Sequence, residues 1–136
     1  MEITDAYKTL ITAAIKARDH AYTPYSGFSV GAALLAVDGR IFTGCNIENA
    51  AYTPGICAER TAFAKAVSEG VREFSAIAVV GWGNERKFAY PCGVCRQVMS
   101  EFVDDSFAVI VAKSEDECRV HTLSELLPCG FGRDDL

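Results

Sequence analysis

Two continuous apolar runs, each preceded by a segment with helical periodicity, constrain the fold of this chain more than any other feature. The runs are residues 75–82 and 107–112. Strands that are apolar at nearly every position belong to sheets whose two faces are both covered. Alternation of such strands with helices therefore predicts an α/β fold, and we expect one three-layer α/β/α domain over residues 1–136.

A β-hairpin is predicted ahead of these runs. Residues 30–37 and 40–45 are both prone to form strands, and Asp38-Gly39 separates them. An Asp-Gly pair between two such runs is typical of a two-residue turn in which both residues have positive φ.

Four helices are predicted from apolar residues at three- and four-residue spacing and from their capping residues. The first begins after Thr4, and the last begins after Thr122, which forms a capping box with Glu125. The two middle helices cover residues 57–68 and 92–102, and each begins with a cysteine.

Composition excludes several classes of function. The chain has 136 residues, 50% of them hydrophobic, so a core can form without disulfides or a structural metal. The formal net charge of -5 argues against strong binding to nucleic acid, which depends on Lys and Arg at phosphates. No apolar run approaches the roughly 20 residues that span a bilayer, and residues 1–5 lack the pattern of a secretion signal. We therefore expect a cytoplasmic protein with reduced cysteines and no membrane partner.

Three of the six cysteines form a pattern typical of a catalytic zinc site. Cys92 and Cys95 have the Cys-x-x-Cys spacing that allows two sulfurs to bind one ion. Cys57 lies 35 residues earlier and is followed two positions later by Glu59. This combination resembles the zinc deaminases that have three cysteine ligands. Three protein ligands leave tetrahedral zinc one position for water, and Glu59 is placed to transfer protons.

Two arginines lie close to these cysteines in the sequence. Arg60 and Arg96 are predicted to donate hydrogen bonds to the sulfurs and thereby tune the metal. For either residue taken alone, an ordinary surface arginine is an equally good interpretation.

The chain resembles the cytidine deaminase family, specifically its short, three-cysteine, homotetrameric branch. The resemblance rests on residues 25–33, 46–52, 57–62, 91–97 and 125–128. It implies a mixed central sheet of about five strands, bound zinc held by the three cysteines, and Glu59 as the proton carrier. It also implies hydrolytic deamination of cytidine and deoxycytidine to uridine and deoxyuridine with release of ammonia, as part of pyrimidine salvage.

The same resemblance implies roles for the residues that bind the substrate. Asn46 and Glu48 match the pair that binds the ribose 3′-hydroxyl, and the backbone N–H of Ala58 would meet the base O2. Phe28 would pack against the base. Phe131 would be contributed by a neighbouring subunit, so that the active sites are complete only in the homotetramer.

Four alternatives to a cytidine deaminase fit parts of this pattern. A related enzyme, such as the blasticidin S deaminases, would share the zinc site, although the predicted sugar-binding pair favours an unmodified sugar. A nucleotide substrate would need Lys or Arg near its phosphate, and residues 46–55 contain neither. A thioredoxin-like thiol enzyme would use Cys92 and Cys95 without zinc. A structural zinc module would need a fourth ligand, for which the candidates are Cys45, Cys118 and Cys129.

Overall fold

The computed structural model describes residues 4–136 and contains one mixed β-sheet with helices against both faces. In chain order the elements are α1 Asp5–Arg18, β1 Ser29–Ala36, β2 Ile41–Cys45, α2 Ala58–Ser68, β3 Phe74–Trp82, β4 Arg86–Lys87, α3 Gly93–Phe102, β5 Ala108–Ser114, β6 Glu117–Thr122, α4 Leu123–Leu126 and a 3₁₀ turn Arg133–Asp135. Residues 1–3, part of the segment used to predict the lack of a secretion signal, lie outside the described residues. None of the helices in residues 4–136 could cross a bilayer, because the longest, α1, has 14 residues.

The strand order is β2-β1-β3-β5-β6, with the two-residue β4 paired to β3. Strands β3 and β5 are parallel, and the other pairs among these six strands are antiparallel. The two continuous apolar strands are therefore the central ones, flanked on each side by antiparallel strands. This mixed sheet confirms the predicted fold class of about five strands.

Side chains that alternate along the strands form a separate core on each face of the sheet. Leu10 and Ile11 of α1 pack on one face, together with Ile110 of β5. Phe63 of α2 and Met99 of α3 pack on the opposite face. The α/β/α layering follows, and the two cysteine-bearing helices share one layer.

A glycine in β2 brings α2 unusually close to the sheet. A Cβ atom at Gly44 would lie 2.4 Å from the Ala58 carbonyl oxygen and 2.6 Å from the Ala62 nitrogen. The first turn of α2 therefore rests directly on the backbone of β2. Because Cys57 and Glu59 flank Ala58, this contact sets the position of both residues relative to the sheet.

The predicted hairpin is present, but the prediction of a two-residue turn with two positive φ angles was wrong. Gly39 has φ +94°, whereas Asp38 does not have a positive φ. Ala36 pairs with Arg40, so the loop has three residues and ends in glycine. The Asp38 carboxylate instead accepts hydrogen bonds from the Arg40 backbone N–H at 3.1 Å and from its Nε at 3.0 Å. Only the glycine has to adopt the left-handed conformation.

The edge strand β6 was absent from the prediction. Cys118 and Val120 pack against the core beneath α1, whereas Glu117 and Arg119 are exposed. This is the two-residue alternation of a half-buried strand. The charged residues within it, and the charges just before it, hid the pattern in the sequence.

Candidate active site

Two helices bring three cysteine sulfurs to one place. The Sγ atoms of Cys57, Cys92 and Cys95 all lie within 4.8 Å of one another. The Cys57 and Cys92 sulfurs are 3.8 Å apart, and the Cys92 and Cys95 sulfurs are 3.5 Å apart. The structure thus brings together the three residues predicted as metal ligands, although 35 residues separate the first two.

Cys57 and Cys92 occupy equivalent positions at the starts of α2 and α3. Each is the N-cap residue with an extended backbone, at φ -79° and φ -69° respectively, rather than a first-turn residue as predicted. Cys95 lies inside the first turn of α3, and Ala58 is the first residue of α2. The N–H groups of a first turn have no partner inside their helix and favour negative charge nearby. Two helix N-termini therefore stabilise thiolates in the cluster.

Arg60 makes the contact that was predicted for it, with Nη2 located 3.6 Å from the Cys57 sulfur. A hydrogen bond from Cys95, reinforced by Arg60, lowers the pKa of Cys57 to about 5. The same hydrogen bond raises the pKa of Cys95, which is the donor. Among residues 4–136, the buried Nε of Arg60 has no hydrogen-bond partner. The negative charge of the Cys57 thiolate therefore lies beside the Arg60 guanidinium.

Zinc fits this set of donors. Three clustered cysteine sulfurs are ligands typical of zinc, and all three are free thiols. Within residues 4–136 the cluster includes no fourth histidine, cysteine, aspartate or glutamate. Three protein ligands characterise catalytic zinc sites, whereas structural sites are closed by a fourth. The donor set therefore favours a catalytic ion over a structural one.

Glu59 lies against the sulfur cluster and is 4% exposed. Burial, aided by the charge of Cys57, raises the pKa of Glu59 to about 7, although a hydrogen bond with the Cys95 side chain acts in the opposite direction. A buried carboxyl group that exchanges its proton near neutrality is suited to general acid-base chemistry. Its burial could not be read from the sequence, where a glutamate in a first helical turn is usually solvated.

A cavity of about 550 Å³ opens beside the cluster. Its wall includes Cys57 and Arg60 together with the predicted sugar-binding residues Asn46 and Glu48. Tyr52, which is 94% exposed, lies at the rim. A small polar molecule that enters the cavity would meet Cys57 of the cluster together with Asn46 and Glu48.

The Asn46 side chain holds the start of β1. Its Oδ1 accepts a hydrogen bond from the Val30 N–H at 2.8 Å, and its Nδ2 donates to the Phe28 carbonyl at 2.9 Å. An amide nitrogen carries two hydrogens, so one donor of Nδ2 is available in addition.

The Glu48 carboxylate holds the turn before β1. It accepts hydrogen bonds from the backbone N–H groups of Tyr25 at 2.9 Å and Ser26 at 3.1 Å, and from the Ser26 hydroxyl group. The Ser26 hydroxyl is the main cause of the lowered pKa of Glu48, which is therefore ionised at neutral pH. Sequence reasoning did not identify Ser26 as a partner, because a serine in a turn has no distinctive signal.

Two predicted substrate-binding aromatics lie outside the wall of this cavity. Phe28 packs near Gly81 of β3, with Lys87 Nζ 5.1 Å from the centre of its ring. Phe131 is 61% exposed, and its carbonyl accepts a hydrogen bond from Gln97 Nε2 at 2.7 Å. The described chain therefore presents Phe131 away from its own cysteine cluster.

Arg96 does not make the contact predicted for it. Its Nε donates to the Pro91 carbonyl at 2.8 Å, and its Nη1 donates to the Leu126 carbonyl at 2.7 Å. Within the described part of the chain, no hydrogen bond links Arg96 to a cysteine sulfur. Consecutive helical residues point about 100° apart, so Arg96 leaves the helix on a different side from Cys95.

Comparison with known proteins agrees with this geometry. A family model described as the cytidine and deoxycytidylate deaminase zinc-binding region matches residues 4–113, which include all three clustered cysteines. The chain is 52% identical over 127 residues to a cytidine deaminase of Sporosarcina psychrophila, covering 93% of this chain and 92% of that protein. It is 49% identical over 127 residues to a cytidine deaminase of Halalkalibacterium halodurans, covering 93% and 95% of the two chains. A crystal structure of cytidine deaminase from Burkholderia pseudomallei matches with a TM-score of 0.84 at 48% identity, covering 90% of this chain and 97% of that chain. The chain therefore belongs to the cytidine deaminase family of zinc-dependent hydrolytic deaminases.

Proposed function

We propose that this chain deaminates cytidine and deoxycytidine by hydrolysis, giving uridine or deoxyuridine and ammonia. The observation that carries the proposal is the three-cysteine cluster beside the buried Glu59, with Cys57 of the cluster in the wall of the cavity. The relatives named cytidine deaminase support the choice of nucleoside.

The metal would be held by Cys57, Cys92 and Cys95. Zinc bound there supplies Lewis acidity, which lowers the pKa of a water molecule towards neutrality. Thiolate ligands donate electron density and weaken that effect. The hydrogen bond from Arg60 to Cys57 withdraws part of this density and therefore compensates for it.

Glu59 carries the protons of the reaction. It takes one proton from the attacking water and delivers it to N3 of the pyrimidine. After the C4–O bond has formed, Glu59 transfers a second proton from the new hydroxyl group to the amino group. The C4–N bond then breaks and ammonia leaves, so one water is consumed for each ammonia released. During these steps the N–H of Ala58, the first residue of α2, binds the base O2.

Asn46 and Glu48 bind the 3′-hydroxyl of the sugar. The ionised Glu48 carboxylate accepts its hydrogen bond, and the second hydrogen of Asn46 Nδ2 donates one. The charged side chains in the cavity wall are Glu48 and Arg60, and Arg60 is engaged with Cys57. A 5′-phosphate would meet the Glu48 charge without a matching cation, which favours a nucleoside over deoxycytidylate.

Substrate analogues test this assignment together with the Glu48→Gln variant. We expect turnover of cytidine and 2′-deoxycytidine, and a 10- to 100-fold lower kcat/KM for cytidine in the variant, because a hydrogen bond to a charged group contributes about 1.5–3 kcal/mol. For 3′-deoxycytidine the wild type and the variant should differ little. The measurement is the ultraviolet change as cytosine becomes uracil, with the exposed Glu85→Gln as a matched control.

Two outcomes would contradict the assignment. Equal kcat/KM for cytidine and 3′-deoxycytidine in the wild type would exclude the 3′-hydroxyl contact. Preferential turnover of blasticidin S would instead identify the related deaminase as the better description.

We also propose that the protein is a homotetramer in which Phe131 completes the site of a neighbouring subunit. An exposed aromatic side chain on a hydrogen-bonded tail, away from its own cavity, supports this arrangement. The single domain of residues 1–136 would carry the whole activity, in the cytoplasm, where uridine enters pyrimidine salvage.

Mixing two variants tests the shared site. Glu59→Gln and Phe131→Ala should each have low activity, and hetero-oligomers made by co-expression should regain activity, because some sites then combine an intact Glu59 with an intact Phe131. Sedimentation should give about four times the chain mass of 14.7 kDa. A monomer, or a mixture no more active than its separate components, would refute the proposal.

A further inference from the structure

We infer that Arg96 is a positioning residue that couples the segment carrying Cys92 and Cys95, residues 91–95 (the cysteine loop), to the C-terminal tail, residues 127–136. The inference rests on the proposed role of Cys92 and Cys95 as zinc ligands. Arg96 follows Cys95 directly and is half-buried. Its two side-chain hydrogen bonds join two segments that lie far apart in the sequence, around Pro91 and around Leu126.

The first hydrogen bond fixes the approach to Cys92. Arg96 Nε donates to the Pro91 carbonyl at 2.8 Å, and Pro91 is buried. The backbone N–H of Arg96 donates to the Cys92 carbonyl at 3.0 Å. One residue therefore holds the peptide groups on both sides of the Cys92 α-carbon, which restricts the direction of its sulfur.

The second hydrogen bond fixes the start of the tail. Arg96 Nη1 donates at 2.7 Å to the carbonyl of Leu126, the last residue of α4. The final carbonyls of a helix have no partner inside the helix. The guanidinium therefore satisfies a helix end while it holds the cysteine loop.

The tail then turns back onto α3, where the next residue binds it. Cys129 has φ +56°, and a Cβ at Gly130 would lie 2.9 Å from Leu127 Cγ, so the turn is tightly packed. Gln97 Nε2 donates to the Phe131 carbonyl at 2.7 Å. Arg96 and Gln97 thus hold the two ends of this turn, and Arg96 alone also contacts the cysteine loop.

An arginine suits this position better than a lysine. The planar guanidinium presents several donors in fixed directions, so Nε and Nη1 can bind two carbonyls at once. A lysine ammonium could reach one of the two. We therefore expect a lysine variant to keep one of the two contacts and to retain only part of the effect of Arg96.

The experiment compares zinc-loaded Arg96→Gln, Arg96→Lys and Gln97→Ala with the wild type. The rate of zinc release to a chromogenic chelator and amide hydrogen exchange in residues 127–136 are both measured. Arg96→Gln should release zinc at least about 10-fold faster and exchange faster in the tail. Arg96→Lys should release zinc at an intermediate rate, whereas Gln97→Ala should accelerate tail exchange alone.

The matched control is Arg72→Gln. Arg72 also donates to two backbone carbonyls, those of Val67 at 2.7 Å and Val71 at 3.1 Å, but it lies beyond the end of α2. The Arg72→Gln variant should release zinc at the wild-type rate. Zinc release from both Arg96 variants at the wild-type or Arg72→Gln rate would overturn the inference, and so would equally fast release from Gln97→Ala. In those cases the wild type still binds zinc and deaminates cytidine, so failure of the inference is distinct from failure of the proposed function.

Discussion

Replacing Glu59 with glutamine is expected to lower kcat for cytidine by about 1,000- to 10,000-fold, the upper range for loss of a general acid-base group. One carboxyl group serves both proton transfers, and an amide of the same size can serve neither. Because Glu59 is 4% exposed and interacts with the cysteine side chains, the substitution removes a desolvated acid without creating a cavity. Fold and metal content should therefore be retained.

The measurements are steady-state kinetics, zinc by mass spectrometry and thermal unfolding. Glu69→Gln is the matched control, since Glu69 caps the other end of the same helix and is exposed. It should keep wild-type kcat. If Glu59→Gln retained kcat within about tenfold of the wild type, Glu59 would not be the proton carrier, and a structural role for the metal would become the better interpretation.

Replacing Cys95 with serine is expected to remove zinc and activity together. Cys95 is fully buried, with its sulfur 3.5 Å from that of Cys92, and a serine hydroxyl is a poor substitute for a thiolate ligand. The kcat/KM for cytidine should fall by more than about 1,000-fold, because zinc lowers the pKa of water by several units. Zinc content after dialysis is the direct readout.

This variant also separates a catalytic ion from a structural one. The core contains two extensive hydrophobic clusters, so circular dichroism should show a folded protein without zinc. Cys118→Ser, in β6 and outside the cysteine cluster, should keep its zinc and its activity. An unfolded Cys95→Ser protein that refolds with added zinc would instead indicate a structural metal site.

The motifs of the site were predictable because each is encoded in a short window. Cys-x-x-Cys at a helix start and Cys57 two residues before Glu59 indicate a metal site next to an acid. Thr4 and Thr122 cap α1 and α4 as expected, with the Tyr7 N–H 3.2 Å from Thr4 Oγ1 and the Glu125 N–H 3.3 Å from Thr122 Oγ1.

The contacts of individual polar side chains were harder to predict. Arg60 and Arg96 looked alike in the sequence. Arg60 nevertheless contacts a cysteine sulfur, whereas Arg96 contacts two backbone carbonyls. Asn46 and Glu48 hold the chain around β1, in addition to any contact with a sugar. These partners are distant in sequence, so no local pattern specifies them.

The sequence by itself determined the alternation of helices with the two central strands, the helix starts and the identity of the residues that could hold zinc. Only the tertiary structure decided that β6 pairs with β5, that Glu59 is buried, and that Arg96 faces away from the sulfurs. The physical reason is the distance along the sequence over which each kind of interaction acts. Periodicity and capping act over a few residues, whereas burial and hydrogen-bond partners depend on segments that meet only when the sheet and both helical layers have assembled.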